Sequence, residues 1–554
     1  MRTDALIAQT LVEHGVRSVF GLMGEDTAEL TLCLAGCGIE YLSTRHESIA
    51  VGMADGYYRA SGDPGVALLS RGPGFTNALT TMTTAARGRS GVVVLTGDTS
   101  ALPDGAPVPA RRHAKYVDQA AVLDALGLCH MTLRATSARA DLTEALRAAA
   151  GGVTVVVNIP ADVLRAEAGD GPTAARLPSP AEFAGPPDPD AVAAVADLLA
   201  DGGARRPVVL AGRGAVRAGA GESLARLAEA TGALLATTLF ARSMFAGLDY
   251  DVGVVGPSAP EVVSRLLADA DLVLAFGASL SPFTTRGGTL FPGARVVQVD
   301  ADPGALSTAA DVQVLGDAEL TATAISVAVQ RRTAGRGGYR TPATRELLRS
   351  AAAATPVPRD GGRGLDPRAL TAALDDVLPR ERTVVVDNGH NWTWPTSYLS
   401  VPEPSAYISP IEFACVGAAT GVALGAALAR PDRLTVLGIG DGGHLMTLTD
   451  VDTAVRYRIP LVVLVFNDAG FGAEVHYLQA AGLPDDMARL PAPSFAAIAR
   501  SVGARGVTVE HLDDLPEVTA ALEGLDGPLV VDCVIDPEVR APWVEFFFAQ
   551  ARAG

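Results

Sequence analysis

The stretch LTVLGIGDGG, residues 434–443, is an apolar run that ends abruptly in glycine and aspartate. A second apolar run, LVVLVF at residues 461–466, ends in NDAG at residues 467–470. Short apolar runs bounded by such turn residues are typical of strands buried in a parallel sheet. Ligands bind at the carboxyl ends of the strands in open α/β sheets, so we expect these two loops to lie side by side at a binding site.

The side chains of these loops suit a metal ion bound to a diphosphate. Asp441 and Asp468 offer the carboxylate oxygens that Mg2+ prefers. Gly442 and Gly443 let the backbone approach phosphate oxygens, and they open a predicted helix whose first N–H groups can face an anion. A lone Gly-Asp-Gly is usually a surface turn. Here, however, a predicted crossover helix at residues 446–457 joins the two strands into one unit.

A further carboxylate begins a predicted helix near the N-terminus. Residues 41–47 are YLSTRHE, which predicts a strand that runs into a helix at residues 48–60, with Glu47 at the junction. Alone, Glu47 could be a carboxylate stabilised by the helix dipole. A glycine-rich turn, GPGFTN at residues 72–77, follows the next predicted strand. Loops that can support chemistry therefore occur in both the first and the last third of the chain.

Together these motifs resemble the thiamine-diphosphate enzymes of the acetolactate synthase, 2-oxo acid decarboxylase and benzaldehyde lyase type. In that family a Gly-Asp-Gly is followed by an Asn pair, which is Asn467-Asp468 here, and the Arg-His-Glu stretch resembles the family's pyrimidine-binding domain. The resemblance covers nearly the whole chain, in the order pyrimidine-binding, middle and diphosphate-binding domain. It implies an enzyme that binds thiamine diphosphate and Mg2+.

The resemblance also implies roles for individual residues. Glu47 would hydrogen-bond to the pyrimidine ring of the cofactor and favour the tautomer that takes the C2 proton. Asp441, Asp468 and the carbonyl of Gly470 would bind Mg2+. Val416 would prop the bound cofactor, with an ordinary core valine as the alternative. The other implied cofactor-binding residues are Gly72, Gly74, Asn77, Asn388, Gly389, Gly440, Gly442, Gly443, Asn467 and Phe471.

The residues expected on the substrate side depart from the usual family pattern. Lys115 replaces an active-site Gln and could bind a carboxylate, sulfonate or phosphate, although an exposed loop lysine fits the sequence equally well. His113 could reach the site if the alignment shifts by one residue. His444, after the Gly-Asp-Gly, could transfer protons at neutral pH or face away from the site. His390 follows another predicted strand and is a further candidate.

Composition argues against several other classes of protein. The formal net charge of −18 and the pI near 4.9 argue against non-specific binding to nucleic acids or anionic membranes. The five cysteines are an odd number scattered over 554 residues, which does not match a disulfide framework or a zinc site. The N-terminal residues do not resemble a secretion signal, and no apolar stretch has spanning length, so we expect a cytoplasmic protein.

Short apolar strands alternate with Ala- and Leu-rich helices, which predicts an α/β fold of three doubly wound parallel-sheet domains. We expect a pyrimidine-binding domain at residues 1–165, a middle domain at 190–330 and a diphosphate-binding domain at 365–545. The two segments between them are rich in Gly and poor in large apolar residues, so we expect them not to pack. FAD could bind the middle domain, but it is not favoured because no Gly-x-Gly-x-x-Gly opens a helix there.

The leading expectation is a carboligase of acetolactate-synthase type, which decarboxylates a 2-oxo acid and transfers the acyl-anion equivalent to a second carbonyl compound. Simple decarboxylation of a 2-oxo acid and cleavage of an acyloin are the enzymatic alternatives. A catalytically silent cofactor-binding protein is a different class, and retention of Glu47 argues against it. The resemblance also implies a homodimer or homotetramer with active sites between subunits, and small molecules as its other partners.

Overall fold

The computed structural model describes residues 1–99, 114–173, 176–178, 185–199, 205–331, 339–352, 364–544, 546 and 548. These residues form three parallel sheets of six strands each, flanked by helices, which confirms the predicted α/β fold. They fall into two compact units. The first is drawn from residues 1–179, 359–399 and 408–539, and the second from residues 180–358, 400–407 and 540–554.

The first sheet lies in the N-terminal third of the chain. Its strands are β1 (Ser18–Leu22), β2 (Glu40–Ser43), β3 (Gly65–Leu69), β4 (Val92–Asp98), β5 (Cys129–Thr132) and β6 (Val155–Pro160). They are ordered β2-β1-β3-β4-β6-β5, and the central strands are buried apolar runs. The helices here are α1 (Thr3–Glu13), α2 (Ala28–Gly36), α3 (Glu47–Ser61), α4 (Pro73–Asn77), α5 (Leu79–Arg87), α6 (Gln119–Leu126), α7 (Ala138–Ala150) and α8 (Ala161–Arg165).

The second sheet makes up the core of the second unit. Its strands are β7 (Pro207–Ala211), β8 (Leu234–Thr237), β9 (Asp251–Val254), β10 (Leu272–Phe276), β11 (Arg295–Asp300) and β12 (Val312–Leu315). They are ordered β12-β11-β10-β7-β8-β9. The helices here are α9 (Pro189–Leu199), α10 (Arg213–Arg217), α11 (Gly221–Thr231), α12 (Glu261–Ala268), α13 (Pro282–Thr285), α14 (Ala318–Gln330) and α15 (Pro342–Ala352).

The third sheet lies in the C-terminal third. Its strands are β13 (Arg382–Val386), β14 (Tyr407–Ile408), β15 (Leu434–Gly440), β16 (Leu461–Asn467), β17 (Arg505–Val509) and β18 (Pro528–Val534). They are ordered β14-β13-β15-β16-β18-β17. The helices here are α16 (Pro367–Val377), α17 (Thr393–Tyr398), α18 (Ala419–Ala429), α19 (Asp441–Thr447), α20 (Val451–Arg456), α21 (Gly472–Ala480), α22 (Phe495–Ser501) and α23 (Leu515–Leu522).

The loops that end the stretches at residues 434–443 and 461–470 leave the same edge of this sheet. Strands β15 and β16 pair in parallel, with Gly440 opposite Phe466. Asp441 and Asn467 therefore follow neighbouring strands at the same level, as predicted. The crossover between them is not the single predicted helix at residues 446–457. It is α19, a 3-10 turn at Leu448–Asp450 and α20, because Asp450 accepts local hydrogen bonds from the hydroxyls of Thr449 in the turn and Thr453 in α20, which compete with a continuous helix.

The prediction that the segments between the sheets do not pack is wrong. Leu177 is buried in the core of the first sheet, and Tyr339 and Leu348 are buried in the core of the second. Helix α15 also lies inside the second of these segments. A few large apolar side chains suffice to dock a glycine-rich segment on a core that already exists. The predicted domain boundaries stay a prediction.

Helices α3 and α18 connect the first and third sheets within the first unit. A Cβ added at Gly52 would lie 3.1 Å from the Cα of Gly421, and one added at Gly56 would overlap the carbonyl oxygen of Val422. The two helix backbones therefore touch without intervening side chains. Because apolar residues from both sheets belong to one continuous buried cluster around this contact, the first and last thirds of the chain share a core.

We expect Gly56→Ala to destabilise the protein. The added methyl group meets backbone atoms of α18, which cannot rotate away, so overpacking should cost roughly 1–3 kcal/mol despite alanine's better helix propensity. Gly36→Ala is the matched control, because a Cβ there meets no described atom within 4 Å. Calorimetric melting temperatures are the measurement, and equal melting temperatures for the two variants would contradict the tight crossing.

Candidate active site

Glu47 is fixed at the first residue of α3. His46 precedes it in an extended conformation, and its ring Nδ1 accepts a hydrogen bond from the Ser48 backbone N–H at 3.2 Å. The Glu47 side chain is buried, and its Oε2 accepts a hydrogen bond from Asn77 Nδ2 at 3.0 Å. Among the described residues no donor reaches Oε1. One carboxylate oxygen is therefore held by the protein while the other is available to a ligand.

The turn at Gly72 lies close to this carboxylate. Gly72 has a φ of +66°, and a Cβ there would overlap the carbonyl oxygen of Lys115, so only glycine fits without strain. Its N–H donates to Gln119 Oε1 at 3.3 Å. A Cβ added at Gly74 would lie 3.3 Å from Glu47 Oε1, so this position packs directly beside the carboxylate. Gln119 belongs to none of the sequence motifs, yet its side chain holds this turn.

Asp441 and Asp468 form a buried carboxylate pair at the edge of the third sheet. Asp441 Oδ1 accepts the Gly442 N–H at 2.9 Å, and its Oδ2 accepts the Gly470 N–H at 3.2 Å. Burial and the neighbouring charge of Asp468 raise the pKa of Asp441, and burial raises the pKa of Asp468. No lysine or arginine in the described part of the chain ion-pairs with either carboxylate.

Two buried carboxylates without a cation are the donor set that a divalent metal ion needs. The described residues contain no cluster of three or more His, Cys, Asp or Glu side chains that could hold a metal. A metal ion bound to this pair would therefore take its other ligands from backbone carbonyls, such as that of Gly470, and from ligand oxygens. The residues present fit Mg2+ bridged to a diphosphate.

The glycines after Asp441 have close neighbours on one side. A Cβ at Gly442 would lie 2.9 Å from the ring of Phe471, and one at Gly443 would lie 2.7 Å from Asp387 Oδ2 and 3.1 Å from Val416. Gly440 is similarly close to Asn391, with a Cβ-to-Oδ1 distance of 2.9 Å. Close packing against these side chains therefore explains why glycine occupies all three positions.

The two residues that follow β13 hold the loop that contains Val416. Asp387 is fully buried, and its carboxylate accepts the N–H groups of Gly417 and Ala419 at 2.7 and 3.1 Å. Asn388 Nδ2 donates to the carbonyl of Cys415 at 2.8 Å, which places a predicted cofactor residue under the loop. Gly389 has a φ of +116° in the following turn. Val416 is 39% exposed, so it is not the core valine of the alternative interpretation.

Asn467, which is predicted to bind the cofactor, and His444, which is predicted to transfer protons, both point into the protein. Asn467 Nδ2 donates to Asp532 on β18 at 3.0 Å, and its Oδ1 accepts the Ala469 N–H at 3.3 Å. The ring of His444 is 1% exposed and packs against Phe495, and burial lowers its pKa to about 4. Because His444 is then neutral and enclosed, its position does not favour proton transfer at neutral pH.

The other predicted substrate-side residues occupy different environments. His390 is buried, with Nδ1 3.5 Å from Asp468 Oδ2, and its ring packs edge-on against Trp394 and next to His476. Lys115 Nζ lies 2.9 Å from Glu25 Oε2, and this ion pair lowers the pKa of Glu25. His113 lies outside the described residues. Across the described residues, no hydrogen bond or ion pair joins Glu47 to the Asp441–Asp468 pair.

The described part of the chain contains no helix that is both long and apolar enough to cross a membrane.

Comparisons with known proteins match the three sheets in order. Residues 1–126 match the thiamine pyrophosphate enzyme N-terminal TPP binding domain, residues 192–325 match the central domain, and residues 387–533 match the C-terminal TPP binding domain of the same enzymes.

Curated proteins with similar sequences extend over nearly the whole chain. A sulfoacetaldehyde acetyltransferase from Castellaniella defragrans is 29% identical over 568 residues, covering 94% of this chain and 91% of that protein. A putative acetolactate synthase large subunit from Mycobacterium tuberculosis is 28% identical, covering 97% of this chain and 98% of that protein. A probable 2-ketoarginine decarboxylase from Pseudomonas aeruginosa is 29% identical, covering 95% of this chain and 92% of that protein.

The raised pKa values of Asp441 and Asp468 predict a pH-dependent effect of Asp468→Asn. Above the unfolded carboxylate pKa of about 3.9, the folded metal-free protein binds more protons than the unfolded chain, so its stability falls as the pH rises. Removing one charge should therefore stabilise the metal-free protein at pH 8, by roughly 1–3 kcal/mol, and have little effect at pH 5. Mg2+ should stabilise the wild type at pH 8 and the variant much less.

Thermal unfolding in EDTA and in Mg2+ at both pH values is the measurement. The matched control is Asp63→Asn, which changes an exposed aspartate of the same unit. Equal responses of the two variants to Mg2+ would contradict the metal assignment.

Proposed function

Because this chain belongs to the thiamine pyrophosphate enzymes, we propose that it is a carboligase of acetolactate-synthase type. It decarboxylates a 2-oxo acid and transfers the acyl-anion equivalent to a second carbonyl compound. The observation that supports this most directly is Glu47, which is buried at the start of α3 with one oxygen held by Asn77 and the other open. A protein that only bound the cofactor would have no use for a carboxylate fixed in this way.

Thiamine diphosphate, when bound, supplies the electron sink for the carbanion that decarboxylation leaves. We propose that Glu47 Oε1 would hold the proton at the pyrimidine ring nitrogen of the cofactor, and that Asn77 orients the carboxylate. Asp441, Asp468 and the carbonyl of Gly470 bind Mg2+ in this proposal, and Gly442 and Gly443 lie against the diphosphate. Val416, on the loop held by Asp387, supports the thiazolium side of the cofactor.

We propose that the substrate binds at the ion-paired surface around Glu25. Lys115 and Arg71 both pair with the Glu25 carboxylate, at 2.9 and 3.3 Å. An anionic group on a substrate could replace Glu25 between these two cations, whereas a solvated loop lysine would make no contact with the substrate. A relative named for sulfoacetaldehyde, an anionic aldehyde, favours the first alternative.

We further propose a homodimer or homotetramer with active sites between subunits. Glu47 and the Asp441–Asp468 pair are not joined by hydrogen bonds within the described chain, so a second subunit could bring together complementary halves. Apolar side chains next to the diphosphate loop are also exposed, including Val416, Met446 and Phe471. Contact with bound cofactor and a partner subunit would cover this apolar surface.

Flavin is not part of the proposal. The glycines that end β7 and β10 are explained by packing within the second unit, since a Cβ at Gly214 would lie 2.6 Å from the Cα of Gly277, and one at Gly212 would overlap the Gly277 carbonyl oxygen. Glycine occurs at the ends of both strands because the two strand ends contact each other.

Product analysis tests the reaction type. With thiamine diphosphate and Mg2+, we expect carbon dioxide release from a 2-oxo acid and a carbon–carbon coupled product when an acceptor aldehyde is added. Mass spectrometry over a panel of 2-oxo acids and aldehydes is the measurement, with Glu47→Gln as the inactive control. Only the free aldehyde from every pair would favour the simple decarboxylase, for which the relative named as a 2-ketoarginine decarboxylase is the precedent. Release of aldehyde from an added acyloin would favour the lyase.

Two opposite changes test the anion site. Lys115→Gln should raise KM for anionic substrates about tenfold, equivalent to about 1.4 kcal/mol, and leave KM for neutral substrates unchanged. Glu25→Gln removes the competing carboxylate and should lower KM for the same anionic substrates. Steady-state kinetics on one charged and one neutral acceptor is the measurement. Equal effects on both acceptors would support the alternative interpretation, in which Lys115 is a solvated loop lysine.

A further inference from the structure

The loop that leads into Glu47 is held by residues from the last third of the chain. The Ser43 N–H donates to the hydroxyl of Tyr457 at 2.7 Å, and the Ser43 carbonyl accepts from Arg456 Nη2 at 2.6 Å. Both partners lie at the end of α20, more than 400 residues away in the sequence. This backbone is therefore positioned by the crossover that follows Asp441, in addition to its own sheet.

The deepest of these contacts is made by Asp450. Its carboxylate is 1% exposed, and its Oδ1 accepts both the backbone N–H of Arg45 at 3.0 Å and the hydroxyl of Thr453 at 2.9 Å. Arg45 lies two residues before Glu47. A buried acceptor that loses its position leaves the Arg45 N–H without a partner, which is costly away from water, so the loop has one favoured backbone position.

A second carboxylate touches the same loop differently and provides a comparison. Asp452 Oδ2 pairs with the side chain of Arg45 at 2.6 Å and with Arg456 Nε at 2.8 Å. Its side chain is 31% exposed, so solvent screens the pair. Asp452 thus acts on the loop only through the side chains of Arg45 and Arg456, whereas Asp450 accepts a hydrogen bond from the backbone itself.

We propose that Asp450 and Tyr457 are positioning residues for Glu47. They fix the backbone of residues 43–46 so that the Glu47 carboxylate stands where the pyrimidine ring of the cofactor must meet it. Among the described residues the Glu47 side chain has one hydrogen bond, to Asn77, so the position of its Cα decides where Oε1 points. The inference rests on the proposed function, because it gives the loop a purpose only if Glu47 acts on the cofactor.

Three variants of the holoenzyme separate this role from a purely structural one. Asp450→Ala removes both hydrogen bonds at Oδ1. Asp450→Asn keeps an Oδ1 in the same place, so it should restore the wild-type behaviour. Arg45→Ala, the matched control, removes the exposed ion pair to Asp452 and keeps the Arg45 backbone N–H that Asp450 accepts. Glu47→Gln is the reference for complete loss of the carboxylate function.

The measurements are cofactor affinity by calorimetry, proton exchange at C2 by NMR, and hydrogen exchange of residues 41–48 in cofactor-free protein. For Asp450→Ala we expect unchanged affinity, C2 exchange slowed roughly tenfold to a hundredfold as for a group displaced by about 1 Å, and faster amide exchange at Arg45. Tyr457→Phe should give a smaller effect of the same kind, because only the Ser43 bond is lost. Asp450→Asn and Arg45→Ala should match the wild type.

Each contrary result has a distinct meaning. C2 exchange unchanged in Asp450→Ala but slowed in Glu47→Gln would overturn the positioning role and leave the proposed function intact. Unchanged exchange in Glu47→Gln would overturn the proposed function itself. If Asp450→Ala fails to fold, Tyr457→Phe decides, and wild-type amide and C2 exchange in that variant would reject the inference.

Discussion

The contact between the backbones of α3 and α18 is the constraint on which the rest of the first unit depends. Glu47 begins α3, and the loop held by Asp387 leads into α18, so Glu47 and the loop that contains Val416 are placed by one crossing. At the far end of α3, Arg59 pairs with Asp55 at 2.6 Å and with Glu412 at 3.0 Å. Loss of Arg59 would remove the cation that lies between these two carboxylates, so the network favours one register of the crossing.

Much of this architecture could be predicted because it follows from local patterns. Apolar runs located the central strands, and the residues that end them located the loops with Asp441 and Asp468. The start of α3 at Glu47 followed from the change from strand to helix periodicity. These features depend on the burial of neighbouring residues in sequence, which a single sequence records directly.

The features that were missed depend on partners far away in the sequence. The direction of Asn467 is set by Asp532 on another strand, and the environment of His444 is set by Phe495. Gln119 and Asp450 hold turns through hydrogen bonds to distant backbone groups. Neither side chain belongs to a motif, because its function is defined by geometry that only the folded chain creates. The segments between the sheets were misjudged since average composition hid their few large apolar residues.

The shared core also affects how the chain folds during its synthesis. Met53 packs in the same buried cluster as Val422 and Leu424, and nearly all of the second unit lies between them in sequence. During synthesis the second unit can close its own core, while the face of α3 that meets α18 must wait for the last quarter of the chain. At ribosomal speed this wait lasts roughly tens of seconds. Throughout that interval the apolar face of α3 lacks its partner, so the nascent chain needs protection from aggregation.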